Sequence, residues 1–298
     1  MRHSQASSSQ PNTRAALGAA FAVIALAGAL PLAARPSRAG QSSDFAARES
    51  AMPRVFFQIE VRAGERVQDF CTRCGSLGLS CEDLDKRAHK AKWFAAQRGR
   101  LRFEGIFVPG AYRAGVPAQY AKYRGYVADK LFEALMERAK ERIGSAGGGS
   151  LQNIVLASIV QKESVSGQNY QEVASVFRNR LMENMPLGSC PTVEYALGYH
   201  RPFLTATDVS IDSPYNVYKR KGLPPAPIAF FSDEAWQAVQ STPRTPYKFF
   251  VYDWTTRRLH FSKDYGTHQR LASAARANYV RRFGEGALRQ VHRDRFYE

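Results

Sequence analysis

Hydrophobic and polar positions alternate with a period of two over VFFQIEVRAGERV, Val55–Val67, where Phe57, Ile59 and Val61 stand between polar neighbours. That alternation predicts a half-buried strand ended by Gly64. The pattern then turns helical: a short helix over Gln68–Cys74, the break Gly75–Ser80, and a second helix over Glu82–Arg98 carrying Leu84, Ala88, Ala91 and Trp93. Together they predict a small β-α-α unit over residues 54–100, marginal as a domain alone. Leu101–Arg113, LRFEGIFVPGAYR, is aromatic and turn-rich and reads as a connector packed against something larger. Pro117 then starts a long helix to Ile143 with Val127, Leu131, Leu135 and Ala139 on one face. Gly144–Ser150 breaks it; the Walker lysine and the dinucleotide spacing are both missing, so this glycine cluster reads as a loop.

Further helices are expected over Leu151–Glu163 and Gln171–Glu183. Residues 185–229 are dense in Pro, Gly and Tyr without a sustained period, a length that favours a functional surface over an idle connection. Ser232 caps a short helix whose first turn carries Asp233 and Glu234, where negative charge suits the helix dipole. Tyr247–Tyr252 and Arg258–Ser262 predict a hairpin around Asp253–Arg257, and a last helix spans Asp264–Phe283. Residues 285–298 read as a short, charged, mobile tail. No internal repeat is present, and the fold class is α+β.

The N-terminus changes where this domain is expected to work. Ala15–Ala34 holds no charged side chain and lies between Arg14 and Arg35, long enough to span a bilayer as a helix. Arg2 and Arg14 precede it, so residues 1–14 read as a cytoplasmic n-region. Two export readings stay open. Pro31 and the small residues around it shorten the strongly apolar part to Leu17–Leu30, as in a signal peptide, with Ser37-Arg38-Ala39 as an imperfect cleavage site. An uncleaved anchor is the other, giving a single-pass protein of the inner membrane whose larger part lies on the periplasmic side; cleavage would give a secreted form. Residues 35–53, rich in Ser, Ala, Arg and Pro, read as a linker.

Export decides what the charge and the cysteines mean. The 298 residues carry 42 Lys+Arg against 26 Asp+Glu, a formal net charge of +16. An exported basic domain meets anionic lipid and anionic wall polymer and little nucleic acid, and no nucleic-acid reader motif is present. Cys71, Cys74 and Cys81 lie in CTRCGSLGLSC, and Cys190 lies alone. A redox C-x-x-C would follow a βαβ pattern, which is absent, and a zinc site would find only His89 nearby beyond Cys81. A structural disulfide or free thiols remain.

The chemistry concentrates in IVLASIVQKESVSGQNYQEVASVFRNRL. On a helix, Glu163 follows Leu156, Ile159 and Val160 by seven, four and three positions, which places its carboxyl on the apolar stripe. A carboxyl there resists ionisation, as a general acid working near neutral pH requires. The same spacing is compatible with a side chain that turns outward before Gly167. Lys162, one position off the stripe, reads as solvated.

The stretches IVLASIVQKES, ASVFRNRL, MPLGSCPTVEYALG, IDSPYNVY, GLPPAPIA and YKFFVYDWTTRRLHFSKDYGTHQR occur in the order and spacing of the YceG-like endolytic murein transglycosylases (the MltG family), which the chain resembles over roughly Val55–Phe283. FEGIFVPGAYR looks like that family's E-G-x-x-x-P-x-x-Y element. Residues 54–100 are similar to its LysM-like subdomain and 101–284 to its catalytic domain. The resemblance implies cleavage of the MurNAc–GlcNAc β-1,4 bond in nascent peptidoglycan strands without water, leaving a 1,6-anhydro-MurNAc end. It implies Glu163 as the catalytic acid and base. Gln161 stands where many members carry a first Glu, so Glu163 is the only carboxylate of that motif. A hydrolase would need a second carboxylate; the sugar's own C6 hydroxyl needs none. Asp212 and Glu194 are the nearby carboxylates for such a role, and neither has helix-stripe support.

Asn179, Thr192, Tyr215, Asn216, His260 and His268 match family positions and are implied as glycan contacts, against structural roles for each as surface amide, turn former or core histidine. No metal or organic cofactor is implied. Implied partners are glycan strands, the cytoplasmic membrane and the synthases of wall elongation. The chain departs from the family at Cys190, usually Asp, at Phe230-Phe231-Ser232, usually Asn-Pro-Gly, and at Gln269, usually Asn.

Overall fold

The structure, a computed structural model, describes residues 52–91, 103–145, 151–164 and 168–291. The apolar run 15–34 and the linker 35–53 lie almost wholly outside these residues, as does Trp93. Among the described residues no helix is long and apolar enough to cross a membrane.

The first layer is a two-stranded antiparallel sheet with helices packed on it. Strand β1 (Arg54–Val61) pairs with β2 (Gly110–Pro117) in a register running from Arg54 opposite Pro117 to Val61 opposite Gly110. Helices α1 (Val67–Cys74) and α2 (Cys81–Arg87) lie between the strands in sequence, and α3 (Arg124–Ser145) packs against the sheet, chiefly on β2. The strand that closes the small unit therefore begins in the last four residues of the stretch expected as a connector and runs on to Pro117. Pro117 ends that strand and does not begin the long helix, which starts at Arg124. A proline suits the last rung of a strand as well as the first turn of a helix, because in both it lacks only an N–H that has no obligatory partner. Ser80 and Asp83 form a reciprocal capping box at the start of α2. Cys71 and Cys81 are joined in a disulfide; Cys74 and Cys190 are free. Among the described residues no group of three or more His, Cys, Asp or Glu could hold a metal ion.

The second layer is helical. Helices α4 (Leu151–Glu163) and α5 (Tyr170–Met182) pack with α7 (Asp233–Gln240), and the hairpin β3 (Phe249–Asp253) with β4 (Arg258–Ser262) lies against α5 and the last helix, α8 (Tyr265–Phe283). Residues 185–229, expected to lack regular structure, contain a further helix, α6 (Cys190–Leu197), and a turn at Asp208–Ser210. Eight residues with a proline in the first turn are too short for periodicity to announce. Residues Glu285–Arg289, expected as part of a mobile tail, form a helical turn that buries Ala287.

Two apolar cores result, and they meet at two consecutive residues. Phe230 joins the core of the first layer beside Phe70 and Phe107; Phe231 joins the second, stacked on Trp236. The Phe230 backbone exchanges two hydrogen bonds of 2.8 Å with Gly64 and Glu65, and Arg142 donates to the Phe231 carbonyl at 2.6 Å. The departure Phe230-Phe231 is thus an apolar staple between layers, each ring burying well over a kcal/mol of transfer free energy.

Candidate active site

Glu163 is the last residue of α4, and the helix that carries it is buried on every face from Ile154 to Val160. There is no wet face for a stripe to be measured against. What orients Glu163 is the start of α6: Ser189 donates its hydroxyl to Glu163 Oε1 at 2.6 Å, and the backbone N–H of Cys190 also bonds the carboxyl. Ser189 occupies the N-cap of α6, yet its side chain makes no cap bond within that helix. Its hydroxyl is spent on Glu163, which supplies the acceptor that an N-cap side chain normally provides. Ser189 thus fixes Oε1 as an acceptor and sets the orientation of the whole carboxyl.

Burial pushes the Glu163 carboxyl up to about 7; the Ser189 bond works against this, Glu194 reinforces it, and Arg180 and the Cys190 N–H oppose it. Unlike a sealed core group, Glu163 remains partly exposed. Arg180, on α5, is fixed by bonds to the carbonyls of Lys248 and Leu187, with its guanidinium 5.1 Å from the Phe249 ring centroid. Gly188 shapes this corner: at φ +58°, a Cβ there would come within 3.0 Å of the Arg180 guanidinium.

Lys162 is not solvated. It is only 9% exposed, its ammonium donates to the Gly64 carbonyl at 3.1 Å, and burial brings it down to about 7, opposed first by Glu194. The position lies off any stripe, but the β1–α1 loop covers it, a tertiary contact the local sequence does not encode. Glu194, also given no helical support by the sequence, sits on α6, 2% exposed, with His200 Nδ1 2.7 Å from its carboxylate. Asp212 lies at the surface beside Arg220 at 2.9 Å.

Of the other expected contacts, Thr192 donates to the Ser189 carbonyl at 2.8 Å and so braces the residue that holds Glu163. Asn179 donates to the carbonyls of Thr245 and Tyr247, both at 2.8 Å, tying α5 to the strand β3 approach. Asn216 is buried and donates to the carbonyls of Val209 and Ile211. Tyr215 packs on Tyr195 with ring centroids 4.9 Å apart. His268 stacks on Phe249 at 5.3 Å, with its imidazole pushed down by burial and by Arg180. His260 stands on β4 opposite Val251, on the sheet face shared with Phe249, and among the described residues makes no contact with Glu163.

Three functional neighbours were not singled out from sequence: Ser189, Arg180 and Tyr218, whose hydroxyl lies 3.0 Å from Cys190 Sγ. Serine directly before Cys-Pro at a helix start was the one legible sign, as an N-cap; its actual partner is distant in sequence. Gln161 has a role of its own: its carbonyl accepts from Ser232 N at 2.9 Å and its amide donates to the Tyr170 hydroxyl at 3.1 Å.

The chemical content of this site is a single carboxyl raised by burial to about 7, held by two donors on a partly exposed residue. Known proteins bear on what it acts upon. A profile of the YceG-like family matches residues 41–274. The chain is 41% identical over 98 residues to the endolytic murein transglycosylase of Bacillus subtilis, covering 33% of this chain and 27% of that protein. It is 34% identical over 179 residues to that of Streptococcus pneumoniae strain D39, covering 57% of this chain and 32% of that protein. Its matches thus span about a third or less of the length of these relatives. In fold, it superposes on a YceG-like protein of Listeria monocytogenes with a TM-score of 0.59 at 24% identity, over 72% of this chain and 75% of that one.

Proposed function

The chain belongs to the YceG-like family, and from that premise we propose that it is an endolytic peptidoglycan lytic transglycosylase that cleaves the MurNAc–GlcNAc β-1,4 bond and leaves 1,6-anhydro-MurNAc ends. The observation that carries the reading is Glu163, a partly exposed carboxyl that burial raises to about 7 and that the Ser189 hydroxyl and the Cys190 N–H hold in place. In the first half of the reaction Glu163 donates its proton to the glycosidic oxygen as the C1–O bond of MurNAc breaks. In the second half the resulting carboxylate takes the proton of the same sugar's C6 hydroxyl as that oxygen bonds to C1. The proton count closes without water, and an acid with a pKa near the working pH serves both halves.

A hydrolase would pair Glu163 with a second carboxylate, for water or for a covalent intermediate. Glu194 is sealed against His200 and Asp212 is exposed beside Arg220, which favours the intramolecular route. The LysM-like character of residues 54–100 and partnership with the synthases of wall elongation are supported by the family resemblance alone, and an anchor or a signal peptide at residues 15–34 and an extracytoplasmic site by the sequence pattern. On that reading the charge of +16 concentrates the enzyme on an anionic envelope.

Digestion of purified sacculi followed by mass spectrometry tests the assignment. The protein should release 1,6-anhydro muropeptides, and Glu163→Gln should release none without a lowered unfolding temperature. Reducing ends would make the enzyme a hydrolase. Sacculus binding without soluble product would make it a binding protein, and an undiminished anhydro yield from Glu163→Gln would remove Glu163 from the mechanism.

A further inference from the structure

We propose that Tyr218 forms a carbohydrate-stacking subsite at the mouth of the Glu163 site, taking the apolar face of a pyranose ring in the glycan strand. The inference rests on the glycan-cleaving reading above and assigns that site a specificity residue.

The argument begins with how firmly Tyr218 is held. Its backbone N–H bonds Asn216 Oδ1 at 3.2 Å, and the Asn216 amide is itself buried between the Val209 and Ile211 carbonyls. The preceding residue, Val217, is buried and accepts from Gly188 N at 3.0 Å. The Tyr218 ring lies beside Gly188, where a Cβ would stand 3.7 Å from its nearest ring carbon. Its hydroxyl is tethered to Cys190 Sγ at 3.0 Å. The ring and hydroxyl attachments run to the Leu187–Cys190 turn, the same turn whose Ser189 hydroxyl and Cys190 N–H hold the Glu163 carboxyl. A single residue, Cys190, therefore touches both the acid and the tyrosine.

Yet the ring is not covered. Tyr218 is 37% exposed, one of few large apolar side chains of the described residues so placed. Its polar end is tied down and its apolar body is left to solvent, the reverse of the usual surface tyrosine. A ring already fixed in one rotamer loses little entropy when a ligand lies on it. A pyranose offers a matching surface: one face of C–H groups, with its hydroxyls around the edge. Tyr215, the tyrosine that the sequence pointed to, packs on Tyr195 and is less exposed than Tyr218.

Calorimetric titration of the full chain carrying Glu163→Gln with a purified GlcNAc–MurNAc oligosaccharide of defined length, which that variant cannot consume, tests the subsite. Adding Tyr218→Ala should weaken binding by on the order of tenfold or more, while Tyr218→Phe, which keeps the ring and drops the hydroxyl, stays within about threefold. Tyr218→Leu provides the same comparison if the alanine variant does not fold, because it keeps apolar volume without a flat face. In the otherwise unaltered enzyme, Tyr218→Ala should raise KM more than it lowers kcat. Equal affinity for the alanine, leucine and phenylalanine variants overturns the subsite. A phenylalanine variant as weak as alanine also overturns it, since the hydroxyl and not the ring would then be responsible. If Glu163→Gln binds no oligosaccharide at all, the glycan reading fails and the subsite with it, a result distinct from loss on changing Tyr218 alone.

Discussion

Glu104 and Glu163 hold their carboxyls in the same way, and only one of them is in a position to do chemistry. Each bonds the first backbone N–H of a short helix to which it does not belong: Glu104 Oε1 accepts from Val67 N of α1 at 3.0 Å, and the Glu163 carboxyl accepts from Cys190 N of α6. Each is raised chiefly by burial, to about 8 for Glu104 and about 7 for Glu163, so desolvation outweighs the attraction of a helix N-terminus for negative charge in both. They part company over access. Glu104 is 1% exposed, and its second oxygen accepts from the Tyr195 hydroxyl at 3.1 Å. Glu163 is partly exposed, and its hydroxyl partner, Ser189, holds Oε1. A raised pKa marks burial; access separates an acid from a clamp.

The largest effects should therefore be reciprocal. Glu163→Gln should cost a factor of about 10³ or more in turnover, the range expected for removing a general acid, with the unfolding temperature not lowered. Glu104→Ala should do the opposite. It strands the Val67 N–H and the Tyr195 hydroxyl in the interior, costing about 2–3 kcal/mol, and lowers the unfolding temperature by roughly 5–10 °C, while folded molecules keep their activity. Calorimetry alongside sacculus digestion reads both. Loss of turnover per folded molecule in Glu104→Ala equal to that in Glu163→Gln would erase the distinction.

A pH series divides the two carboxyls more finely. Both have folded pKa values above the ordinary 4.5, so the folded chain holds more protons than the unfolded one as pH rises from 4.5 to about 8. Stability contributed by the neutral acids is complete below 4.5 and is lost as pH rises through about 7 for Glu163 and about 8 for Glu104. Lys162, brought down from 10.5 to about 7, has the opposite sign: the unfolded chain holds the extra proton between those values, so stability recovers as pH rises across that range. Activity follows Glu163 alone and should fall about tenfold per unit above pH 7. Glu104→Gln should flatten the decline in stability between 4.5 and 8 and leave the activity limb in place. A shift of that limb would couple the two sites.

Ser189→Ala gives a smaller effect at the same carboxyl. The Ser189 bond favours the charged form, so its loss should move the alkaline limb of activity to higher pH and reduce turnover several-fold, through a less well oriented acid. A limb that moves to lower pH would mean that Ser189 does not donate to Glu163.

What the chain made legible, and what it hid, follows from which interactions are local. The bounds of α4, the Ser232 cap and the β3–β4 hairpin were readable because period, cap and turn chemistry act over a few residues. The position of Glu163 near a helix end could be read too, though the stripe used to place it does not exist in a helix buried all round. Lys162 was misjudged because its partner, the Gly64 carbonyl, lies 98 positions away. Strand β2 was hidden because its apolar rhythm is interrupted by Gly110, Gly115 and Pro117 and it forms by pairing with β1. Ser189 fell in the stretch expected to lack regular structure, and nothing in its neighbourhood tells that it caps a helix or that its hydroxyl finds its acceptor on another one.

A third carboxylate, where the family often carries one, sharpens the comparison with the smallest expected effect. Gln161 completes a capping box across the fold. Ser232 caps α7 by accepting from Ala235 N, but Ala235, three residues in, has no side chain to return the bond, and Gln161 accepts from Ser232 N in its place. Gln161→Glu keeps that acceptor and adds negative charge at the start of α7, where the helix dipole favours it; the Tyr170 hydroxyl, now accepting from the Gln161 amide, can turn and donate instead. Two positions along a helix point about 200° apart, so a carboxylate at 161 is directed away from Glu163. Stability should change by less than about 1 kcal/mol and turnover by less than about twofold. A tenfold gain in anhydro product, or an activity limb displaced from that of the unaltered enzyme, would show that position 161 reaches the reacting sugar, and that access in this fold extends to a second carboxyl.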